Sequence, residues 1–476
     1  MGLFDFFRAK KPRDLPPLEF YNTLSGELER FVPLSRRKVT MYNCGPTVYD
    51  RQHIGNLRPY IFADTLRRVL TYWRYEVTQV INITDVGHLV GDGDKGEDKM
   101  EMGARKAGRS AREIADEVVN WWFEDLDLVG VYRDNILFPR ATEYIDEQIA
   151  LIKALEEKGY AYVRKDGVYF DTEKFPNYGK LGKVNIAGLE AGARVEENPE
   201  KKNPHDFALW KLSRKDKRRQ QEWNSPWGTG YPGWHIECTA MIFTLLGKYI
   251  DIHTGGVDHI PVHHNNEIAQ AESITGKPYV RYWLHNEFAT IEGKKVSKSI
   301  GNTVYLHNII DRGFSPRALR YWYLTAHYRS STNFTWEAIA ASDQALKRLT
   351  RHYLEAPETT GMSEEFLPAF CGALADDLNT PQALALVWEH LSALGKLTLR
   401  EVDALLGLGF SEEKAAAKLI VLEEAELPEK VQKFVVERTQ ARNEKDFARA
   451  DALRKKIAEA GFDVKDTPEG PKITKK

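Results

Sequence analysis

Three cysteines in 476 residues are too few for the disulfide framework on which small extracellular domains depend, so a reducing cytoplasm is expected and the thiols are free for other work. No apolar run approaches the roughly 18 residues needed to cross a bilayer, and no membrane span is expected. A signal peptide is not expected either: in MGLFDFFRAKKPRDLPPLEF, Asp5 interrupts the apolar cluster and the basic residues follow it. Phe6 stands where N-myristoylation of Gly2 requires Ser or Thr, and residues 1–19 read as a disordered extension. Excess charge of one sign is also missing, since the formal net charge is −2, which argues against a uniformly basic nucleic-acid binder. That balance conceals an asymmetry: residues 355–429 carry about −11 and residues 430–476 about +5. A basic C-terminal module therefore follows an acidic one. Repeats and long low-complexity tracts are absent.

What remains is a folded, multidomain composition, 42% hydrophobic and 11% aromatic. Strand-like KVTMY (38–42) is followed by the loop Asn43-Cys44-Gly45-Pro46. DRQHIGNLRPYIFADTLRRVLTYW then has helical spacing, and the β-branched run VTQVINIT (77–84) completes a βαβ unit. The predicted fold class is α/β, a doubly wound parallel-sheet (Rossmann-like) domain with an insertion, then an all-α bundle and a small C-terminal module. Its first half spans 20–129 and the inserted region 130–222, with a hairpin turning near Asp166-Gly167. The second half spans 223–312, a linker 313–345, the bundle 346–427 and the final module 428–476. In that module RTQARNEKDFARADALRKKIAEAG reads as one basic helix, followed by a tail too rich in Gly and Pro to continue it.

Three stretches carry chemistry. In PVHHNNEIAQ (261–270), His263 and Glu267 are four apart and aim at a common point on one helix face, while His264 and Asn265 are expected to look elsewhere. That point could hold a metal ion or be a hydrogen-bonded pair. His53-Ile54-Gly55-Asn56 opens the first helix, where a doubly wound fold presents amides and a positive dipole end to phosphate. Some 240 residues later GKKVSKSIGN supplies Lys295 and Lys298, able to neutralise charge developing on a polyphosphate.

Both motifs, in this order around an interrupted α/β sheet, resemble the class I aminoacyl-tRNA synthetases. MYNCGPTVYD (41–50), NITD (82–85), PRAT (139–142), FALWK (207–211), PGWHIEC (232–238), GG..D (255–258), HH.NE (263–267) and HYRS (327–330) extend the resemblance to the cysteinyl-tRNA synthetase family. It implies one zinc ion per chain, held by Cys44, Cys238, His263 and Glu267, with Cys371 a small core residue. It implies a cysteine pocket at Gly45, Thr84 and Trp234. His53, Asn56, His253, Gly255, Gly256, Asp258, Val296 and Lys298 are expected on the ATP side, with His53, Asn56, Lys295 and Lys298 acting in catalysis. The implied partners are L-cysteine, ATP with Mg2+, and tRNA-Cys, with the chain a monomer and the final module binding the anticodon.

The sequence departs from the family pattern in three places. Asn56 replaces a usual His and Val296 a usual Met; NITD is followed by VGHLVGDGDKGEDKM instead of an acidic D-D-K; and the tail GPKITKK lacks the usual aromatic. Ligases that join cysteine to a small amine would share the catalytic half, but helices and a basic tail covering about 150 residues serve no small acceptor. A non-catalytic zinc-sensing relic would have no use for both lysines.

Overall fold

The computed structural model describes residues 15–87, 100–101, 108–184, 198–213, 219–296, 301–412, 421–422, 427–467 and 470–475. Lys298, most of the 86–100 loop, residues 1–14 and the basic run 214–218 lie outside the described residues.

Five parallel strands form the central sheet: β1 (Lys38–Asn43), β2 (Glu76–Ile81), β3 (Ile136–Leu137), β4 (Ile250–Gly256) and β5 (Val280–Asn286). They lie in the order β3-β2-β1-β4-β5. All seven residues of β4 are buried, as a parallel strand covered on both faces requires. Helix α1 (Ile54–Tyr72) connects β1 to β2. Helices α2 (Trp234–Leu245) and α3 (Asn265–Thr275) flank β4 in the chain. Chain direction across the sheet reverses between β1 and β4, and a doubly wound sheet opens a ligand crevice beyond the carboxyl ends of two such strands. The ladder there pairs His253 with Tyr42 and Thr254 with Asn43, and the Cys44 amide donates to the Thr254 carbonyl at 3.1 Å.

Between the two halves lies an antiparallel sheet of Ala161–Val163, Gly167–Phe170, Phe207–Leu212 and Gly230–Pro232. Asp166-Gly167 sits in the first turn, where Arg164 N donates to the Gly167 carbonyl. The sheet runs beyond residue 222 to Pro232 and so leads directly into α2, while β3 belongs to the central sheet.

Beyond the sheet the chain is helical: Arg317–Leu324, Trp336–Glu355, Ser363–Ala375, Thr380–His390 and Lys396–Leu406. Cys371 is buried in their core. The bundle docks on α1 through buried charge. Asp64 of α1 pairs with Arg68 Nε at 2.6 Å and with Arg320 Nη2 at 2.7 Å. The guanidinium groups of Arg68, Arg320 and Arg317 donate to the carbonyls of Ala404, Leu406 and Gly407, which a helix end leaves without partners.

The C-terminal module departs from its sequence reading. The basic segment forms two helices, Glu429–Asn443 and Phe447–Glu459. The chain turns between them at Lys445 (φ +64°), and the Asp446 side chain caps the second helix by accepting from Arg449 N at 3.0 Å. The tail folds as a hairpin, Phe462–Thr467 with Gly470–Lys475, joined by Val421–Leu422. Leu427, Val431, Val435, Ile457, Phe462, Val464 and Ile473 form its own core. No helix among the described residues is long and apolar enough to cross a membrane.

Candidate active site

Cys44 leaves β1 at the switch point and Cys238 projects from α2, while His263 and Glu267 come from the chain after β4. One donor atom from each of the four lies within 4.8 Å of the others, and all four residues are buried. His263 Nε2 is 3.0 Å from Glu267 Oε1 and 3.6 Å from Cys238 Sγ. The expected i,i+4 convergence of His263 and Glu267 is present. His264 differs from expectation, because residues Ile260–His264 form a π-helical turn ahead of α3. In this turn its Nε2 lies 3.3 Å from Cys44 Sγ, and π-turns are frequent at functional sites. Asn265 does face away, its amide donating to the carbonyls of Leu181 and Ile260.

These groups set one another's ionisation. Cys44 hydrogen-bonds to Cys238 and lowers that thiol to about 7 against the opposing effect of burial. Burial and the neighbouring Cys238 push the Cys44 thiol up. Burial disfavours a charged His263, yet Glu267 and the Cys238 sulfur outweigh it and raise His263 to about 10. Burial also opposes ionisation of Glu267, but His253 and His263 hold its carboxyl well below the usual range.

A metal ion fits this arrangement. Two thiols, an imidazole and a carboxylate are a zinc-like donor set. Glu267 Oε1 is buried beside His263 without a well-aligned hydrogen bond, as expected of an oxygen aimed at a cation. Cys44, His253, His264 and Glu267 form a second, overlapping quartet. In it His253 Nε2 lies 3.0 Å from Glu267 Oε2, and His264 Nδ1 lies 2.7 Å from His285 Nε2 while its Nε2 faces Cys44 Sγ.

The other expected residues take these positions. His253, expected beside adenosine, is fully buried under the quartet and stacks on Trp283. A Cβ on Gly45 would lie 1.5 Å from the Asn82 carbonyl oxygen, so only glycine lets Cys44 lie this close to the NITD segment. Thr84 is buried and receives a hydrogen bond from Asn82 Nδ2 at 3.1 Å. Trp234 is half-buried with its ring centroid 4.3 Å from that of His263. A Cβ on Gly255 would fall 2.6 Å from His259 Nδ1, while Gly256 is buried and Asp258 exposed beside it.

At the start of α1, His53 is the N-cap residue and Asn56 Oδ1 accepts from the His53 amide at 3.2 Å. Asn56 is exposed at the crevice end of the helix. A Cβ on Gly55 would lie 3.9 Å from Val296 Cγ2, so the two lysine- and histidine-bearing motifs meet. Lys295 lies on the strand Lys294–Lys295, paired with Ala289–Ile291.

His264, His285 and Tyr279 were not read from the sequence as site residues. Tyr279 donates to Glu267 Oε2 at 3.2 Å, and His285 backs His264. A signal existed for His285, since it lies two residues after Trp283 on β5 and shares its face; the rings stack with centroids 6.4 Å apart.

A doubly wound sheet with α1 starting at its switch point and a buried metal-type quartet beside it matches the catalytic unit of a class I aminoacyl-tRNA synthetase. The fold is shared with the methionyl-tRNA synthetase of Mycobacterium tuberculosis bound by methionyl-adenylate (16% identity, TM-score 0.55, 87% of this chain and 96% of that one). It is shared also with a leucyl enzyme from Agrobacterium radiobacter in a ternary complex with tRNA (12%, TM-score 0.56, 82% and 85%). Residues 30–344 match the family described as tRNA synthetases class I (C) catalytic domain, and residues 424–471 the cysteinyl-tRNA ligase anticodon binding domain. Among curated relatives, Cysteine--tRNA ligase 1 of Burkholderia lata is 46% identical, covering 96% of this chain and 97% of its own length. Cysteine--tRNA ligase of Caldicellulosiruptor saccharolyticus is 43% identical, covering 96% and 99%. The chain belongs to the cysteinyl-tRNA synthetase family, and ligation of cysteine to tRNA is its activity.

Proposed function

We propose that the chain activates L-cysteine with ATP to cysteinyl-adenylate and passes the cysteinyl group to the terminal ribose of tRNA-Cys, with zinc at Cys44, Cys238, His263 and Glu267. The observation that carries the reading is the convergence of those four donors at the switch point, on the floor of the crevice. Zinc bound there supplies a soft Lewis-acid site that prefers a thiolate over a hydroxyl. A pocket selecting by shape alone gains only about 1–3 kcal/mol from so small a difference as sulfur for oxygen.

The chain's own residues do the rest. Trp234 and Thr84 enclose the substrate side chain. His53, Asn56 and the amides at the start of α1 hold the triphosphate with its Mg2+, and Asp258 and Gly256 border the adenosine. Lys295 and Lys298 offset charge on the departing pyrophosphate, so that positioning and fixed charge suffice without a protein nucleophile. The module around Glu429–Asn443 and Phe447–Glu459 takes the anticodon arm.

The test is cysteine-dependent ATP–pyrophosphate exchange and charging of tRNA-Cys with cysteine against serine, alongside metal analysis. About one zinc per chain and a cysteine preference that falls when zinc is removed are expected. A preference unchanged in zinc-depleted protein would take the metal out of substrate selection.

A further inference from the structure

Arg58 is only 3% exposed, its guanidinium held among backbone carbonyls. It sits one helical turn after Ile54 and two residues beyond Asn56. Nη1 donates to the carbonyls of Glu287 at 2.7 Å and Phe288 at 2.6 Å. Nη2 donates to those of His327 at 3.2 Å, Tyr328 at 3.3 Å and Ser330 at 2.6 Å. Burial lowers its pKa.

These five acceptors are where two segments join. Glu287 and Phe288 lead into Ala289–Ile291, which turns back as Lys294–Lys295 and continues toward Lys298; Ser330 leads into Thr332–Phe334, the parallel partner of Ala289–Ile291. Cross-links run between them, from Glu287 N to the Tyr328 carbonyl and from Thr332 N to the Phe288 carbonyl. The chain beyond the lysine motif returns to the same helix end. Ile54 N donates to the Val304 carbonyl at 2.9 Å, and Tyr323 OH donates to the Ile54 carbonyl at 3.0 Å. Arg58 thus ties the first turn of α1, with His53 and Asn56, to the root of the strand pair that carries Lys295.

We propose that Arg58 is a positioning residue that sets the distance between the phosphate-binding start of α1 and the lysine-bearing strand pair, and through it the rate of adenylate formation. The inference rests on the ATP-activation reading above. The two motifs come from opposite halves of the chain and must meet one triphosphate. A planar guanidinium with five fixed donors can span both segments, whereas the ammonium of lysine offers three donors from a single point. A misplacement of about 1 Å at a remote residue is enough to slow a reaction about 10²-fold.

The test uses the full-length zinc-loaded chain and its Arg58→Lys and Arg58→Ala variants. Single-turnover measurement separates the number of active sites, given by the amplitude, from the rate at each. Cysteine KM and zinc content should stay near wild type while the rate of adenylate formation per site falls about 10²-fold. A cavity of about 30 Å³ borders Arg58, Phe62, Thr65, Tyr323 and Tyr328, and millimolar guanidinium should partly restore the rate of Arg58→Ala, which a purely structural loss would not allow. Loss of amplitude with an unchanged rate per site overturns the proposal. Should neither variant fold, Tyr323→Phe decides: it removes only the hydroxyl on the Ile54 carbonyl, so a slowed rate per site supports the proposal and an unchanged rate overturns it. Absence of cysteine-dependent exchange in the unsubstituted chain is a separate outcome that sinks the ATP-activation reading instead.

Discussion

At the proposed zinc site, protons and the metal ion would compete for the same four side chains. Near pH 7 His263 carries a proton, since its pKa is about 10. The Cys44 thiol is protonated and that of Cys238, at about 7, is half so. Glu267 is already ionised and gives up nothing. Zinc requires both thiolates and a neutral imidazole, so its binding at pH 7 should release about two to three protons. The sign follows: affinity rises with pH and falls by about two to three decades for each unit below 7. Calorimetry of zinc binding in buffers of different ionisation enthalpy reads the proton count directly; release of about one proton or fewer would mean that more than one of Cys44, Cys238 and His263 is not a ligand.

Elements deliver these residues, and their joints are less forgiving than their interiors. Gly45→Ala should be strongly destabilising, by about 3 kcal/mol or more, because the added Cβ meets the backbone oxygen of Asn82, not a side chain that could swing aside. Denaturant unfolding with parallel metal analysis should show reduced stability and reduced zinc together. Where α1 meets the bundle, Asp64 is held well below the usual carboxylate range, burial being outweighed by Arg68, Arg320 and Arg67. Its stabilising contribution is therefore present at neutral pH and lost as pH falls through that low value. Asp64→Ala would strand buried guanidinium groups and should cost about 3–5 kcal/mol, visible as a lowered denaturant midpoint at pH 7. How legible such joints were follows from their physics. The β1-α1-β2 unit was readable because periodicity and buried β-branched residues agree with tertiary position. Nothing in IPVHH announces a π-turn, so the approach of His264 to Cys44 could not be read. Asp446 was a readable helix cap, but strong helix formers on both sides hid the break, and a left-handed residue at Lys445 lacks the glycine that usually marks one. The C-terminal hairpin was obscured because Gly470 and Pro471 suggest loop, although Pro471 can sit at the start of a strand.

Across the whole molecule, charge and packing set the C-terminal module apart, where the proposed mechanism separates tRNA binding from cysteine activation. The final module has a hydrophobic core of its own, and Val421–Leu422 belongs to its sheet. A clean truncation therefore ends at Glu412, whose carboxylate still pairs with Arg317 at 3.0 Å; a cut after Leu427 would expose part of the removed module's core. Within that module Arg438 and Arg442 pair with Asp466 at 2.8 and 3.2 Å, and Lys445, Arg449 (4.0 Å from Glu444), Arg454 and Lys455 are exposed. Exposed cations of this kind bind phosphates, which position an RNA without reading its bases. The shortened chain should keep cysteine-dependent ATP–pyrophosphate exchange near the full-length rate, because its metal quartet, α1 and the hydrogen bonds of Arg58 are untouched. Its affinity for tRNA-Cys should fall, and the slope of log affinity against log salt should flatten by about 0.7–0.9 for each phosphate that is no longer neutralised. Exchange, charging and tRNA affinity measured at several salt concentrations test this together. Unaltered charging at limiting tRNA, with an unchanged salt slope, would show that the basic module does not hold the tRNA during transfer.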